Sequence, residues 1–151
     1  MDKICTFAGH GKIIYGKEIY EELINHIEAL ICDEEICEFW VGNYGNFDAM
    51  AAMAVKALRE IYPIKLCLVV SYITSKMHQN NAYYNKTFDE IIVCDVPADT
   101  PKRAYIPLCN KYMANMASVL LCYVKYNTGG ALQTLKYAKG KNIKIINLSH
   151  L

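Results

Sequence analysis

An excess of charge is the first thing missing. Sixteen Lys and Arg against fifteen Asp and Glu leave a formal net charge of +1, without the positive surplus that gripping a nucleic-acid backbone calls for. Polymeric DNA or RNA is therefore not expected as a partner. No apolar stretch approaches the ~20 residues needed to cross a bilayer, and the first residues lack a basic region followed by a long apolar core. The expectation is a soluble, cytoplasmic chain with no membrane partner. The seven cysteines are odd in number and form no C-x-x-C pair, so neither a disulfide framework nor a metal site is expected. Cys5, Cys67, Cys94 and Cys122 lie in apolar runs, where cysteine acts as a small buried hydrophobe in a reduced interior. After Gly9 and Gly11 no third glycine completes a dinucleotide fingerprint, and no P-loop occurs. No cofactor is expected.

A chain of 151 residues with 54% hydrophobic and 21% charged side chains suffices for one domain, residues 1–151, with one core. Short apolar runs at 3–8, 37–41, 64–70, 90–94, 118–124 and 143–148 read as strands. The run at 64–70 is nearly all apolar, as for a strand covered on both faces. Between them, Ile19, Leu23, Ile27, Leu30 and Ile31 repeat with helical period over 17–31. Phe47, Met50, Ala51, Ala54, Val55 and Leu58 do so before Pro63, with Asn46 or Asp48 as cap. Residues 71–89 show no clear period and read as a long loop with at most one short helix. Pro107 suits the first turn of a helix reaching about Ala117, and a last helix is capped by Thr128 and ended by Gly140. This alternation predicts an α/β, Rossmann-like three-layer sandwich with a mostly parallel sheet of about six strands.

Three times an apolar run leads into a glycine turn and then a helix: ICTFAGHGK (4–12), FWVGNYGNFD (39–48) and VLLCYVKYNTGGALQT (119–134). In an open α/β sheet such turns converge on one crevice, where helix N-termini present free N–H groups suited to an anion, most often phosphate. Gly129 and Gly130, between Thr128 and Ala131, either let a ligand approach the main chain or form a plain tight turn. Gly9 and His10 follow the first strand; the imidazole has the chemistry to donate to phosphate, stack on a base or cap a helix. In the turn with Gly42, Asn43 and Gly45, Asp48 stands where a carboxylate accepts ribose hydroxyls or complements the helix dipole. Phe47 sits on the apolar stripe and reads as core. Arg103 and Asn110 are the remaining polar candidates, one in a proline-bearing loop and one in the first turn after it. Tyr72, Tyr83 and Tyr84 either stack on a base or cover the sheet edge.

Together, TFAGH (6–10), VGNYGNFD (41–48), RAYIPLCNKYM (103–113) and YNTGGALQTLKYAKGKNIKIINL (126–148) resemble the SLOG superfamily, nearest to its small stand-alone bacterial members. The resemblance spans nearly the whole chain. It implies a Rossmann-like fold whose crevice binds a nucleotide or nucleotide-derived signal, as in LOG-type phosphoribohydrolases, Smf/DprA-type proteins and ADP-ribose-type sensors of defence systems. Carried over, it places Gly9, His10, Gly42, Asn43, Gly45, Asp48, Arg103, Asn110, Gly129, Gly130 and Ala131 around the ligand. Gly11 stands where relatives usually carry arginine, Cys109 where they often have a basic residue and Ser118 where they often have an acidic one. LOG-type enzymes resemble PGGxGTxxE at the last turn; here NTGGALQTLK has Leu135 or Lys136 where the catalytic acid would stand.

The expected function is a cytosolic module that senses or sequesters a small nucleotide, ADP-ribose-like or cyclic, without transforming it. The alternative is hydrolysis or transfer at an N-glycosidic bond, with Asp48 or Asp95 supplying the carboxylate. The apolar helix faces also allow a homodimer.

Overall fold

The computed structural model describes residues 3–126 and 129–149. Six strands make one sheet: β1 (Lys3–Gly9), β2 (Ile36–Val41), β3 (Lys65–Val70), β4 (Glu90–Val93), β5 (Val119–Tyr123) and β6 (Lys144–Asn147). Their order is β4-β3-β2-β1-β5-β6, and every pairing is parallel. Parallel neighbours need crossovers, and those are α1 (Gly16–Glu34), α2 (Gly45–Arg59), α3 (Ser75–Gln79), α4 (Asn81–Thr87), α5 (Tyr105–Met116) and α6 (Gly130–Lys139). The chain is the expected Rossmann-like α/β sandwich.

Alternation of side chains along each strand divides the core between two faces. Phe7, Phe39, Leu66 and Leu121 share one cluster with Leu23 and Ile27 of α1 and with Phe47, Ala54 and Val55 of α2. On the other face Trp40, Cys67 and Val69 meet Cys109 and Met113 of α5, while Leu120 and Cys122 meet Leu135 and Ala138 of α6. Each fully buried side chain of this size contributes about 1.5–3 kcal/mol. The apolar stripes of α1 and α2 are thus what dock those helices.

Several local expectations change. Residues 71–89 are not a loop: they form α3, whose N-cap Thr74 accepts the Met77 N–H at 3.2 Å, and then α4. Met77, Tyr84 and Phe88 tie both to the α1/α2 face. The N-cap of α2 is Tyr44, with no side-chain cap, rather than Asn46 or Asp48. Helix α5 starts at Tyr105, after a 3-10 turn at Lys102–Ala104, and carries Pro107 in its first turn as expected. Gly140 does follow α6, but with φ −80°, not left-handed; the left-handed cap is Glu35 after α1, with φ 59°. Thr128 lies outside the described residues. Cys94 and Cys109 are paired as a disulfide, with Cα atoms 6.1 Å apart. This corrects the expectation of cysteines that are all reduced. No described helix is long and apolar enough to cross a membrane.

Candidate functional site

Strands β1 to β4 step outward on one side of β1, and β5 starts the other side. The crevice at the C-terminal ends of β1 and β5 is therefore the topological switch point, where open α/β sheets take ligands. There the three glycine turns meet around a cavity of about 370 Å³. Gly9, His10 and Gly11 come from the first turn, Tyr44, Gly45 and Asp48 from the second, and Gly129, Gly130 and Ala131 from the third. Asn110 and Ile106 of α5 close one side, and Phe7, Ala8 and Thr134 complete the lining.

The first two turns are welded together. The Asn46 N–H donates to Gly11 O at 3.1 Å. A Cβ on Gly9 would stand 2.2 Å from Phe47 Cγ, so only glycine lets that buried ring lie beneath the turn. Gly45 has φ +89°, and its Cβ would stand 2.8 Å from Gly11 Cα. In the third turn Gly129 has φ +108°, which L side chains avoid. Gly11 and Gly130 differ: a Cβ on either would meet nothing within 4 Å. At the start of α6 the first N–H groups have no intrahelical partner, and the dipole there is positive.

His10 is partly spent on the fold. Its Nε2 accepts the N–H of Lys125 at 2.8 Å and of Tyr126 at 3.3 Å, and its ring lies 4.8 Å from that of Tyr126. An imidazole accepting at Nε2 carries its proton on Nδ1, which remains to donate. Desolvation holds its pKa below the ordinary histidine value. Asp48 sits in the first turn of α2, and Oδ2 accepts the Tyr44 N–H at 3.4 Å. A Cβ on Gly42 would stand 3.0 Å from that same oxygen, so glycine there leaves the carboxylate its place. Desolvation pushes the Asp48 carboxyl up to about 7, outweighing the opposite pull of the Tyr44 N–H. It therefore exchanges a proton near neutrality.

Not every expected residue meets here. Gly42 and Asn43 line a neighbouring groove that shares Tyr44, Gly45 and Asp48 with the cavity. Arg103 is exposed in the 3-10 turn and is not among the lining residues of the cavity. No Lys or Arg is among those residues either. Tyr44, Ile106 and Thr134 were not singled out from the sequence, since aromatic, aliphatic and hydroxyl residues carry no spacing signal for a cavity wall. Elsewhere, ligand atoms of Glu38, Cys67 and Glu90 lie within 4.8 Å of one another on β2, β3 and β4, the one described group with metal-ligand chemistry. Burial, with the nearby carboxylates, pushes the Cys67 thiol up to about 12, and it hydrogen-bonds to Glu38 Oε1 at 3.7 Å.

No family model and no curated protein sequence matches the chain. Solved structures do match, among them two DNA processing proteins. The DNA processing protein A (DprA) of Streptococcus pneumoniae is 16% identical with a TM-score of 0.67, covering 97% of this chain and 50% of its own. The DprA of Helicobacter pylori is 11% identical with a TM-score of 0.66, covering 96% of this chain and 64% of its own. The chain thus spans one half to just under two thirds of the length of these structures. The H. pylori protein is described by its single-stranded DNA binding mode. In that protein a fold of this kind occurs with single-stranded DNA binding, so the exclusion of such partners from a net charge of +1 does not stand. Net charge sums over the whole surface, whereas a strand meets one face of it. The chain has the Rossmann-like fold of the DprA structures, in keeping with the SLOG resemblance of its motifs.

Proposed function

We propose that the chain is a nucleotide-binding module whose cavity at the β1/β5 edge takes one nucleotidyl group, with its phosphate against the first turn of α6 and the 9–11 turn. One observation carries this reading. Gly11 and Gly130 keep glycine where a Cβ would meet no neighbour and φ is not left-handed, and both line the cavity. Neither packing nor backbone conformation asks for glycine there; a ligand lying on the main chain does. The volume is within the ~300–1,000 Å³ usual for ligand pockets. With no lysine or arginine among the described lining residues, phosphate is held by main-chain N–H groups, the His10 Nδ1–H and the Asn110 amide.

Calorimetric titration tests the reading with nucleoside monophosphates, ADP-ribose, cyclic nucleotides and short single-stranded oligothymidylates. Binding of one of them, weakened about tenfold or more by Gly130→Ala, supports it. Absence of binding across the panel at millimolar concentration overturns it. The panel also separates a sensor of a small nucleotide-derived signal from a module for single-stranded DNA, the ligand described for the H. pylori protein.

The pKa of Asp48 favours a second reading, cleavage or transfer at an N-glycosidic bond. A carboxyl titrating near 7 in a cavity is matched to general acid–base work. Among the described residues no second carboxylate lines that cavity, which keeps binding as the first reading. Release of free base from nucleoside monophosphates, abolished by Asp48→Asn while binding persists, would establish the catalytic one.

A further inference from the structure

The Cys94–Cys109 bond joins the end of β4 to α5, one residue before the cavity-lining Asn110. It closes a strap, residues 95–108, that runs through the 3-10 turn and carries Ile106, the other α5 residue of the cavity wall. Among the described residues, no hydrogen bond or ion pair ties residues 95–104 to the chain outside that strap. Neither the 3-10 turn nor α5 has a side-chain cap. Apart from the disulfide, the strap is held by Val96 packed against the core and by the edge contact of Tyr105 with Tyr72, ring centroids 5.9 Å apart. The second half of α5 is anchored separately. Tyr112 stacks on Trp40 at 5.9 Å, Met113 is buried, and Asn115 Oδ1 accepts the Tyr137 hydroxyl at 2.9 Å. Both bonded sulfurs share an apolar cluster with Cys67, Val69 and Met113, where two thiols would fill the same space as small hydrophobes. Cys5, Cys67 and Cys122 are already buried as thiols.

We propose that Cys94 and Cys109 are a reversible redox switch on the cavity; the proposal rests on the nucleotide-binding reading of that cavity. Bonded, the pair fixes Ile106 and Asn110 where the ligand meets them, and a wall fixed in advance costs less to order on binding. As two thiols, the pair frees the strap and affinity falls, while the sheet and the second half of α5 stay packed. The reductant is a dithiol. One of its thiolates attacks Sγ of Cys94, at the strand end before the exposed Asp95, and the Cys109 sulfur leaves as a thiolate and takes a proton. The second thiolate of the reductant then displaces the Cys94 sulfur, which is protonated in turn. Two electrons and two protons pass to the pair, and the reductant ends as a disulfide; exchange with such a disulfide runs both steps backwards. Cys94 and Cys109 are 3% and 1% exposed, so exchange waits on opening of the strap, which a ligand against Ile106 and Asn110 opposes. The coupling is reciprocal: a bond that tightens the ligand tenfold is itself favoured tenfold by the ligand.

The test compares the oxidised protein with the same protein reduced by dithiothreitol, titrating each calorimetrically with the nucleotide panel named above and counting thiols under native conditions by maleimide mass shift. Reduction is expected to free two thiols, to speed amide hydrogen exchange over residues 95–110 and to weaken nucleotide binding about tenfold, with circular dichroism unchanged. Saturating nucleotide should shift the exchange equilibrium toward the disulfide by the same factor, about 30 mV for a two-electron couple. A bond that only staples the fold would show no such shift. The double variant Cys94→Ala, Cys109→Ala should bind like the reduced parent with or without reductant, and the comparison within the parent does not depend on that variant folding. The proposal is overturned if the pair resists native reduction by the dithiol, if reduction unfolds the chain, or if nucleotide binds both forms within about twofold. Equal binding to both forms overturns the switch alone, whereas no binding by any member of the panel in either form removes the first reading and this one together.

Discussion

The first two glycine turns and the third look alike in sequence and differ in what they ask of glycine. Gly9 and Gly45 are fixed by their surroundings, one by the Phe47 ring beneath it and one by a left-handed φ and the Gly11 backbone. Gly130, opening α6, has free space where its Cβ would be. The welded pair therefore shapes the cavity, and the open one faces whatever fills it. A glycine's surroundings, more than its presence, separate a fold requirement from a ligand requirement.

Substitution of the welded pair should have the largest effect. Gly9→Ala forces Phe47 out of its place and is expected to cost about 3 kcal/mol in urea unfolding. A variant of unchanged stability would dissolve the distinction. Gly130→Ala should instead leave stability unchanged or raise it by about 0.5 kcal/mol, while nucleotide affinity falls about tenfold or more as the new methyl enters the cavity. Equal losses of stability in both variants would make the third turn structural too.

The proton chemistry of the second and first turns sharpens the contrast. Asp48 has a raised pKa in the folded state, so the native chain binds the extra proton, and stability falls as pH rises from about 4 to about 7. Asp48→Asn should flatten that slope and gain on the order of 2 kcal/mol at pH 8, read from chemical unfolding across pH. His10 is lowered instead, so its contribution has the opposite sign: it is present above the ordinary histidine value and is lost as pH falls below it. A smaller loss of stability than for Gly9→Ala is expected for His10→Ala, about 1 kcal/mol through loss of the acceptor for the Lys125 and Tyr126 N–H groups. If nucleotide binding persists in that variant with little change, the imidazole serves the β1–β5 junction more than the ligand.

Much of this was legible in the residues. The stripe of Phe47, Ala51, Ala54, Val55 and Leu58 gave α2, and the nearly unbroken apolar run of β3 gave a strand covered on both faces. Helices α3 and α4 were hidden, because elements of five and seven residues are too short to establish a period. The three turns announced themselves through glycine, and their meeting place followed from topology. Gly42 and Asn43 fell in the adjoining groove because the second turn has two sides, and sequence does not tell which side a residue lines. Arg103 drew attention by its guanidinium, yet the 3-10 turn leaves it exposed. The Cys94–Cys109 pairing had no spacing signal, since what joins residues 15 apart is the approach of the end of β4 to α5.

The strand order has a consequence for assembly. Strands β1 to β4, which end at Val93, can form a contiguous four-stranded layer, but that layer keeps one flank of β1 unpaired until β5 is in place. Ala8 on that strand packs with Leu120 and Cys122 of β5 and with Leu135 of α6, all of which come later in the chain. A nascent or truncated chain lacking residues 118–148 would therefore present a sticky, hydrogen-bond-hungry border to its neighbours. The same late step completes the cavity, so a guest that bridges β1 and α6 would act as a clasp, closing the border that self-association would otherwise exploit.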